Sequence, residues 1–299
     1  MDDVKRLLQY AFQTSNELTI PLSAPGSAGM EAAFVNLLEC GDKVIVCQNG
    51  VFGGRMKENV ERCGATAAMV MDRWGDPVDP EKLEAAIKAH PEAKVVAFVH
   101  AETSTGVRSD AETLCRIAKD AGMLVIVDAV TSLAGIELKA DAWGADVIYS
   151  GTQKCLSGLP GISPITFSDA AVEVIRARTQ KVQSWFLDMN LIMGYWGEGP
   201  KRSYHHTAPV NAVYAIHEAL IMLEEEGLEA SVARHKANHL KLAAGLSDLG
   251  LELAVAEEWR LPQLNSVSIP EGMDDATVRG RLLNAVSYTH LTLPTSHCV

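Results

Sequence analysis

Five short runs rich in β-branched and aliphatic residues, at 43–47, 94–100, 123–127, 146–149 and 165–167, alternate with stretches whose apolar residues recur at helical spacing. This alternation leaves few arrangements, because parallel strands need long crossovers and those crossovers must pack on the sheet. It predicts an α/β fold, a mostly parallel sheet with helices on both faces. The segment 79–90 reads as a surface helix, with Pro80 in its first turn and Leu83, Ala86 and Ile87 on one side. The segment 110–122 repeats the logic, with Asp110 as cap, Leu114, Ile117 and Ala118 as the apolar stripe, and Gly122 where a helix end favours a left-handed residue.

A long helix is predicted over 210–227, ending in an acidic run and Gly227. That is a natural boundary between a large domain, 1–226, and the beginning of a smaller α+β domain, 227–284. In the latter, 228–249 reads as helix and 251–255 and 266–269 as strands. Arg281 to Asn284 finishes an amphipathic helix, and the threonine-rich stretch that follows lacks any such pattern. The tail 285–299 is therefore expected to be foreign to the fold.

The chain has 299 residues, 47% of them apolar, enough to bury a sizeable core. A net charge of -12 disfavours nucleic acid or anionic lipid as a partner. The longest apolar run, 123–127, is far short of the roughly 20 residues of a membrane-spanning helix. The N-terminus lacks the basic start and apolar centre of a signal peptide, so the expected location is the cytoplasm. Six cysteines are scattered without ligand spacing, which argues against a disulfide framework and a zinc site. His205 and His206 are adjacent, so their side chains diverge, and no metal site is expected.

Asp128 ends the 123–127 run, and Lys154 follows 26 positions later in Ser150-Gly151-Thr152-Gln153-Lys154, just after another run. Both then sit at the carboxyl edge of the sheet, where ligands of open α/β sheets bind. Pyridoxal 5'-phosphate chemistry needs such a pair: a lysine amine to bond the cofactor aldehyde and an aspartate to keep the pyridine nitrogen protonated. The spacing alone equally describes a solvated lysine and a helix-capping aspartate.

Six segments in order, Ser23-Ala24-Pro25-Gly26-Ser27, Asn49 to Arg55, His100 to Gly106, Val127 to Val130, Ser150 to Lys154 and Tyr204 to Thr207, together resemble the alanine-glyoxylate and serine-glyoxylate branch of the class V aminotransferases. The resemblance runs to Asn284. It implies the fold type I large domain of pyridoxal-phosphate-dependent transferases, an incomplete small domain, and pyridoxal 5'-phosphate as cofactor with Lys154 and Asp128 as catalytic residues. It further implies Gly26 and Ser27 as phosphate donors at a helix start, where small residues and exposed amides favour an anion. Read without the resemblance, Ser27 is a helix cap. Phe52 and Val130 would sandwich the cofactor ring, although core packing is the plainer reading of either alone. Thr103 would lie near the ring oxygen and Gln153 near the phosphate. Tyr204 and Thr207 would reach the phosphate of a neighbouring subunit, which implies a homodimer with shared sites.

The implied reaction moves an amino group from a small amino acid, alanine or serine, to glyoxylate or another 2-oxo acid. Ureidoglycine-glyoxylate and 2-aminoethylphosphonate transamination use the same core and stay open. Cysteine desulfuration is disfavoured, since Gln153 rather than histidine precedes Lys154 and no loop cysteine is placed for the task. A dinucleotide-binding domain would need GxGxxG after a strand, which 23–29 lacks. A third reading is a fragment that binds the cofactor without activity. Relatives carry a further N-terminal segment and an arginine beyond the Asn284 position that clamps the substrate carboxylate, and no arginine follows Arg281 here. On that reading the expectation is cofactor binding with little turnover.

Overall fold

The computed structural model describes residues 1–196 and 202–284, so the tail expected to be foreign lies outside the described residues. Its strands are β1 (Leu18–Leu22), β2 (Lys43–Gln48), β3 (Thr66–Met71), β4 (Val95–Val99), β5 (Ala101–Glu102), β6 (Val107–Arg108), β7 (Leu124–Asp128), β8 (Val147–Tyr149) and β9 (Ser163–Phe167). Its helices are α1 (Asp2–Phe12), α2 (Gly26–Leu37), α3 (Val51–Arg62), α4 (Pro80–Ala89), α5 (Ala111–Asp120), α6 (Ala140–Trp143), α7 (Asp169–Ala177), α8 (Met189–Trp196), α9 (Val210–Glu226), α10 (Leu228–Asp248) and α11 (Asp275–Asn284).

Among the described residues, seven strands form one sheet in the order β1-β9-β8-β7-β4-β2-β3. The pairs from β3 through β2, β4 and β7 to β8 are parallel. β9 is antiparallel to both β8 and β1. The period of two along each strand divides the core between two faces. Ile45, Val96, Phe98, Val125, Val127 and Ile148 meet the buried residues of α1, α4, α5 and α9 on one side. Val44, Val46, Ala97, Ile126, Val147 and Tyr149 meet those of α2, α3, α7 and α8 on the other. Central strands buried on both faces explain why they read as continuous apolar runs.

The expected Asp110 cap and left-handed Gly122 are present, and Asp79, not singled out from the sequence, caps α4 as well. Asp79 accepts from Glu81 N–H at 2.9 Å ahead of α4, and Asp110 accepts from Thr113 N–H at 3.2 Å ahead of α5. Gly122 has a φ of +75°, and Gly227, between α9 and α10, has +86°. The predicted strands at 251–255 and 266–269 do not form. That region makes only the Leu253–Val267 bridge, with Ala254 N–H to Ser266 O at 2.9 Å and Ser268 N–H to Glu252 O at 2.8 Å. An isolated two-stranded ribbon has no third strand or covering face to extend it. The helix ending at Asn284 is present, but α11 buries none of its residues, so its apolar positions do not act as a packing stripe. Cys47, Cys63 and Cys115 are buried, whereas Cys40 is exposed.

α2 lies close against β8 and β9 because Gly29 has no side chain. A Cβ there would come within 2.1 Å of Ser163 Oγ and 3.2 Å of Tyr149 Cβ. Ser163 is itself fixed by donating to Ser150 O at 2.7 Å. Gly29→Ala is expected to cost about 1–3 kcal/mol in denaturant unfolding through overpacking. The double variant with Ser163→Ala should recover part of that loss, and an equal loss in both would contradict this packing account.

Candidate active site

Asp128 is the last residue of β7, and its parity with Ile126 puts its side chain on the α2 and α3 face of the sheet. Two donors hold the buried carboxylate: Val130 N–H at 2.9 Å and the Tyr149 hydroxyl, from the neighbouring strand, at 2.9 Å. Burial pushes its pKa up from 3.8 to about 7, opposed by those two hydrogen bonds and the positive charge of Lys154, and reinforced by the charge of Glu102. Burial and the adjacent carboxylate hold the Tyr149 phenol far above its ordinary value, so it acts as donor.

Lys154 lies half-buried in the loop between β8 and β9. Its N–H meets Gly151 O at 3.4 Å and its carbonyl accepts from Ser157 N–H at 2.9 Å, a tight turn that returns the chain to β9. Gly26 brings the start of α2 to the same place. A Cβ on Gly26 would lie 3.2 Å from Val130 Cγ2, 3.3 Å from Ser150 O and 3.7 Å from Gly151 Cα. The phosphate-donor candidates Gly26 and Ser27, the ring-face candidate Val130 and the lysine loop therefore meet at one edge. Ser27 does not cap its helix: the cap position is Pro25, which has no side chain able to do so, and Ser27 lies within the first turn. A buried Ser23 Oγ and a buried Gln153 Oε1 lack protein partners beside this cradle.

Phe52 sits in the first turn of α3, half-buried on the same face, with Arg55 Cζ 4.7 Å from its ring centroid. Thr103 and Thr131 share a hydrogen bond of 2.5 Å between hydroxyl oxygens, and the Thr131 carbonyl accepts from Gln263 Nε2 at 2.9 Å. Tyr204 and Thr207 are paired at 2.9 Å but stand apart from this cradle. They line a cavity of about 520 Å³ with Val4, Trp196 and Val213, and Tyr204 is 77% exposed. Between them, His205 stacks on Trp185 at 4.4 Å, and its Nδ1 lies 2.8 Å from that of His206.

Sequence reasoning missed Tyr149, Thr131 and Glu102. Tyr149 and Glu102 lie inside segments whose sequence marks a strand and a motif without singling out either side chain. Tyr149 could have been found from register, since β8 lies parallel beside β7 and pairs Tyr149 with Asp128. His100 lies in the same motif yet faces the other side of the sheet, edge-on to Trp143 at 5.3 Å, where burial lowers its pKa to about 3.

A family model described as aminotransferase class V matches residues 1–284. The chain is 39% identical over 277 residues to an alanine–glyoxylate aminotransferase of Drosophila melanogaster, covering 92% of this chain and 70% of that one. It is 34% identical to an (S)-ureidoglycine–glyoxylate transaminase of Bacillus subtilis, covering 95% and 72%. Among solved structures, an alanine–glyoxylate aminotransferase from Nostoc superposes with a TM-score of 0.93 at 44% identity, covering 96% of this chain and 75% of that one. These likenesses bear out the expected fold type I architecture.

The raised pKa of Asp128 has a pH signature. Between about pH 4 and 7 the folded chain holds a proton that the unfolded chain has released, so this group lowers stability as pH rises through that window. Asp128→Asn removes the ionisation. Thermal melts of cofactor-free protein are expected to show the variant gaining on the wild type between pH 4 and pH 8, and a pH-independent difference would contradict the assignment.

Proposed function

Because the chain belongs to the class V aminotransferase family and is a transaminase, we propose that it moves the amino group of alanine or serine to glyoxylate or another 2-oxo acid, using pyridoxal 5'-phosphate. The observation that carries this reading is the convergence of Asp128, Gly26 with Ser27, Val130 and the Lys154 loop at the carboxyl edge of the sheet. The residues fit that cofactor. The Gly26 cradle leaves space that a side chain would fill, and buried polar atoms of Ser23 and Gln153 lack protein partners.

Amides at the start of α2, with Ser27, would hold the phosphate, aided by the positive end of the helix dipole. Asp128, held by Val130 N–H and Tyr149, would keep a proton on the pyridine nitrogen. When bound, the cofactor supplies an aldehyde and an electron-accepting ring. Phe52 and Val130 would cover the ring and exclude water. The Thr131 hydroxyl fixes that of Thr103, which would face the ring oxygen. Lys154 Nζ, as free amine, would take the proton from the substrate α-carbon and return it on the cofactor side. Tyr204 and Thr207, exposed and apart from Lys154, support a homodimer in which each copy completes the other's phosphate site. The proposed location is the cytoplasm; among the described residues, no helix is long and apolar enough to cross a membrane.

The Bacillus subtilis relative keeps ureidoglycine in view as an alternative donor. A donor panel of alanine, serine and ureidoglycine against glyoxylate and pyruvate ranks them. Borohydride reduction of the cofactor-loaded chain, followed by peptide mapping, is expected to leave the label on the peptide containing Lys154. Lys154→Ala should lose both the label and amino transfer. A label that persists in that variant would refute the assignment.

A further inference from the structure

The hairpin of β5 and β6 places its turn against the start of α3. Gly50 occupies the N-cap of that helix and offers no side chain to its first amides. Those amides are met from fifty residues away: Ser104 Oγ accepts from Val51 N–H at 3.0 Å and Glu102 Oε2 accepts from Phe52 N–H at 3.2 Å. The other carboxylate oxygen accepts from Ser104 N–H at 3.0 Å and from Ser104 Oγ–H at 2.6 Å. Every polar atom in this small network has its partner, and the network is closed by two segments of chain that meet nowhere in sequence.

A capping residue at position 50 could not replace it. A Cβ on Gly50 would lie 2.4 Å from both Cγ and Cδ of Glu102 and 2.5 Å from Ser104 Oγ. Glu102 is fully buried, a costly place for a carboxylate unless hydrogen bonds compensate. A Ser or Asp cap at the helix itself would satisfy the same amides more cheaply. What the remote carboxylate adds is a fixed distance between the start of α3 and the edge of the sheet, because Glu102, in β5, lies three residues beyond Val99, the last residue of β4, and Asp128 lies opposite Val99 in the ladder.

We infer that Glu102, acting with Ser104, is a positioning residue: it clamps the first turn of α3 so that Phe52 is held over the cofactor ring whose nitrogen Asp128 faces. This rests on the proposed cofactor, but the clamp is testable without it. The ring of Phe52 belongs to the residue whose N–H the carboxylate accepts, so its Cα cannot shift while that bond is made. Burial raises the Glu102 pKa, while its three donors and the charge of Arg55 oppose the rise.

Two isosteric variants test this. Glu102→Gln turns one of the accepting oxygens into a donor, so it cannot satisfy both Phe52 N–H and Ser104 N–H; Ser104→Ala removes the acceptor for Val51 N–H. In hydrogen exchange read by mass spectrometry on cofactor-free protein, the peptide containing residues 51 and 52 is expected to exchange about tenfold faster in each variant. With pyridoxal 5'-phosphate added, Glu102→Gln is expected to weaken cofactor binding about tenfold and to diminish the induced circular dichroism of the bound ring. Unchanged exchange in both variants overturns the clamp. Faster exchange with wild-type affinity and dichroism overturns the positioning role. A wild-type chain that fails to bind the cofactor counts against the proposed function instead, and the cofactor-free exchange then decides the clamp.

Discussion

The Asp128 carboxylate is a charge placed where water cannot reach it, and much of the surrounding structure is arranged around that difficulty. Parallel pairing of β7 with β4 and β8 puts it at the end of the ladder, and that pairing brings Tyr149 alongside as a donor. Two residues further along the same chain, the Val130 N–H returns to the carboxylate. An ion held by its own strand and its neighbour needs no flexible side chain for support, so its position is as rigid as the sheet.

Legibility in the sequence followed the range of the interactions. The central strands were readable because burial on both faces makes each a continuous apolar run, and the Asp110 cap because a cap is a local matter of three residues. β1, β3 and α3 were not picked out, and of α2 only the start was. α2 is built from small residues without an amphipathic stripe, since it is buried almost all round, and β3 has a mixed, partly exposed pattern. The 251–255 and 266–269 segments have strand composition yet pair at a single bridge, because composition does not say whether a covering layer exists.

The same distinction separates the parts of the site. Asp128 and Lys154 stood out by their place after two strands, Gly26, Ser27 and Val130 only through the family resemblance, and the fold brings them to one edge. Tyr149 and Thr131 were not, because their roles depend on which strand or loop lies beside them. Reading Ser27 as a cap failed for a similar reason: the helix begins two residues earlier than that cap requires, at Gly26, and Pro25 takes the cap position. Tyr204 and Thr207 stand together as the motif implies, but on another part of the surface.

The order of the sheet also bears on how the chain is made. β1 comes first in sequence of the described strands, yet its partner in the sheet is β9, with Leu18 opposite Phe167. Among the described strands β1 pairs with β9 alone, so until residue 167 has been synthesised its backbone groups lack that neighbour. The lysine loop lies within the last stretch to arrive, just ahead of β9. The strand that receives β1 is therefore the one the lysine loop leads into, so the pairing of β1 and the anchoring of that loop depend on the same segment.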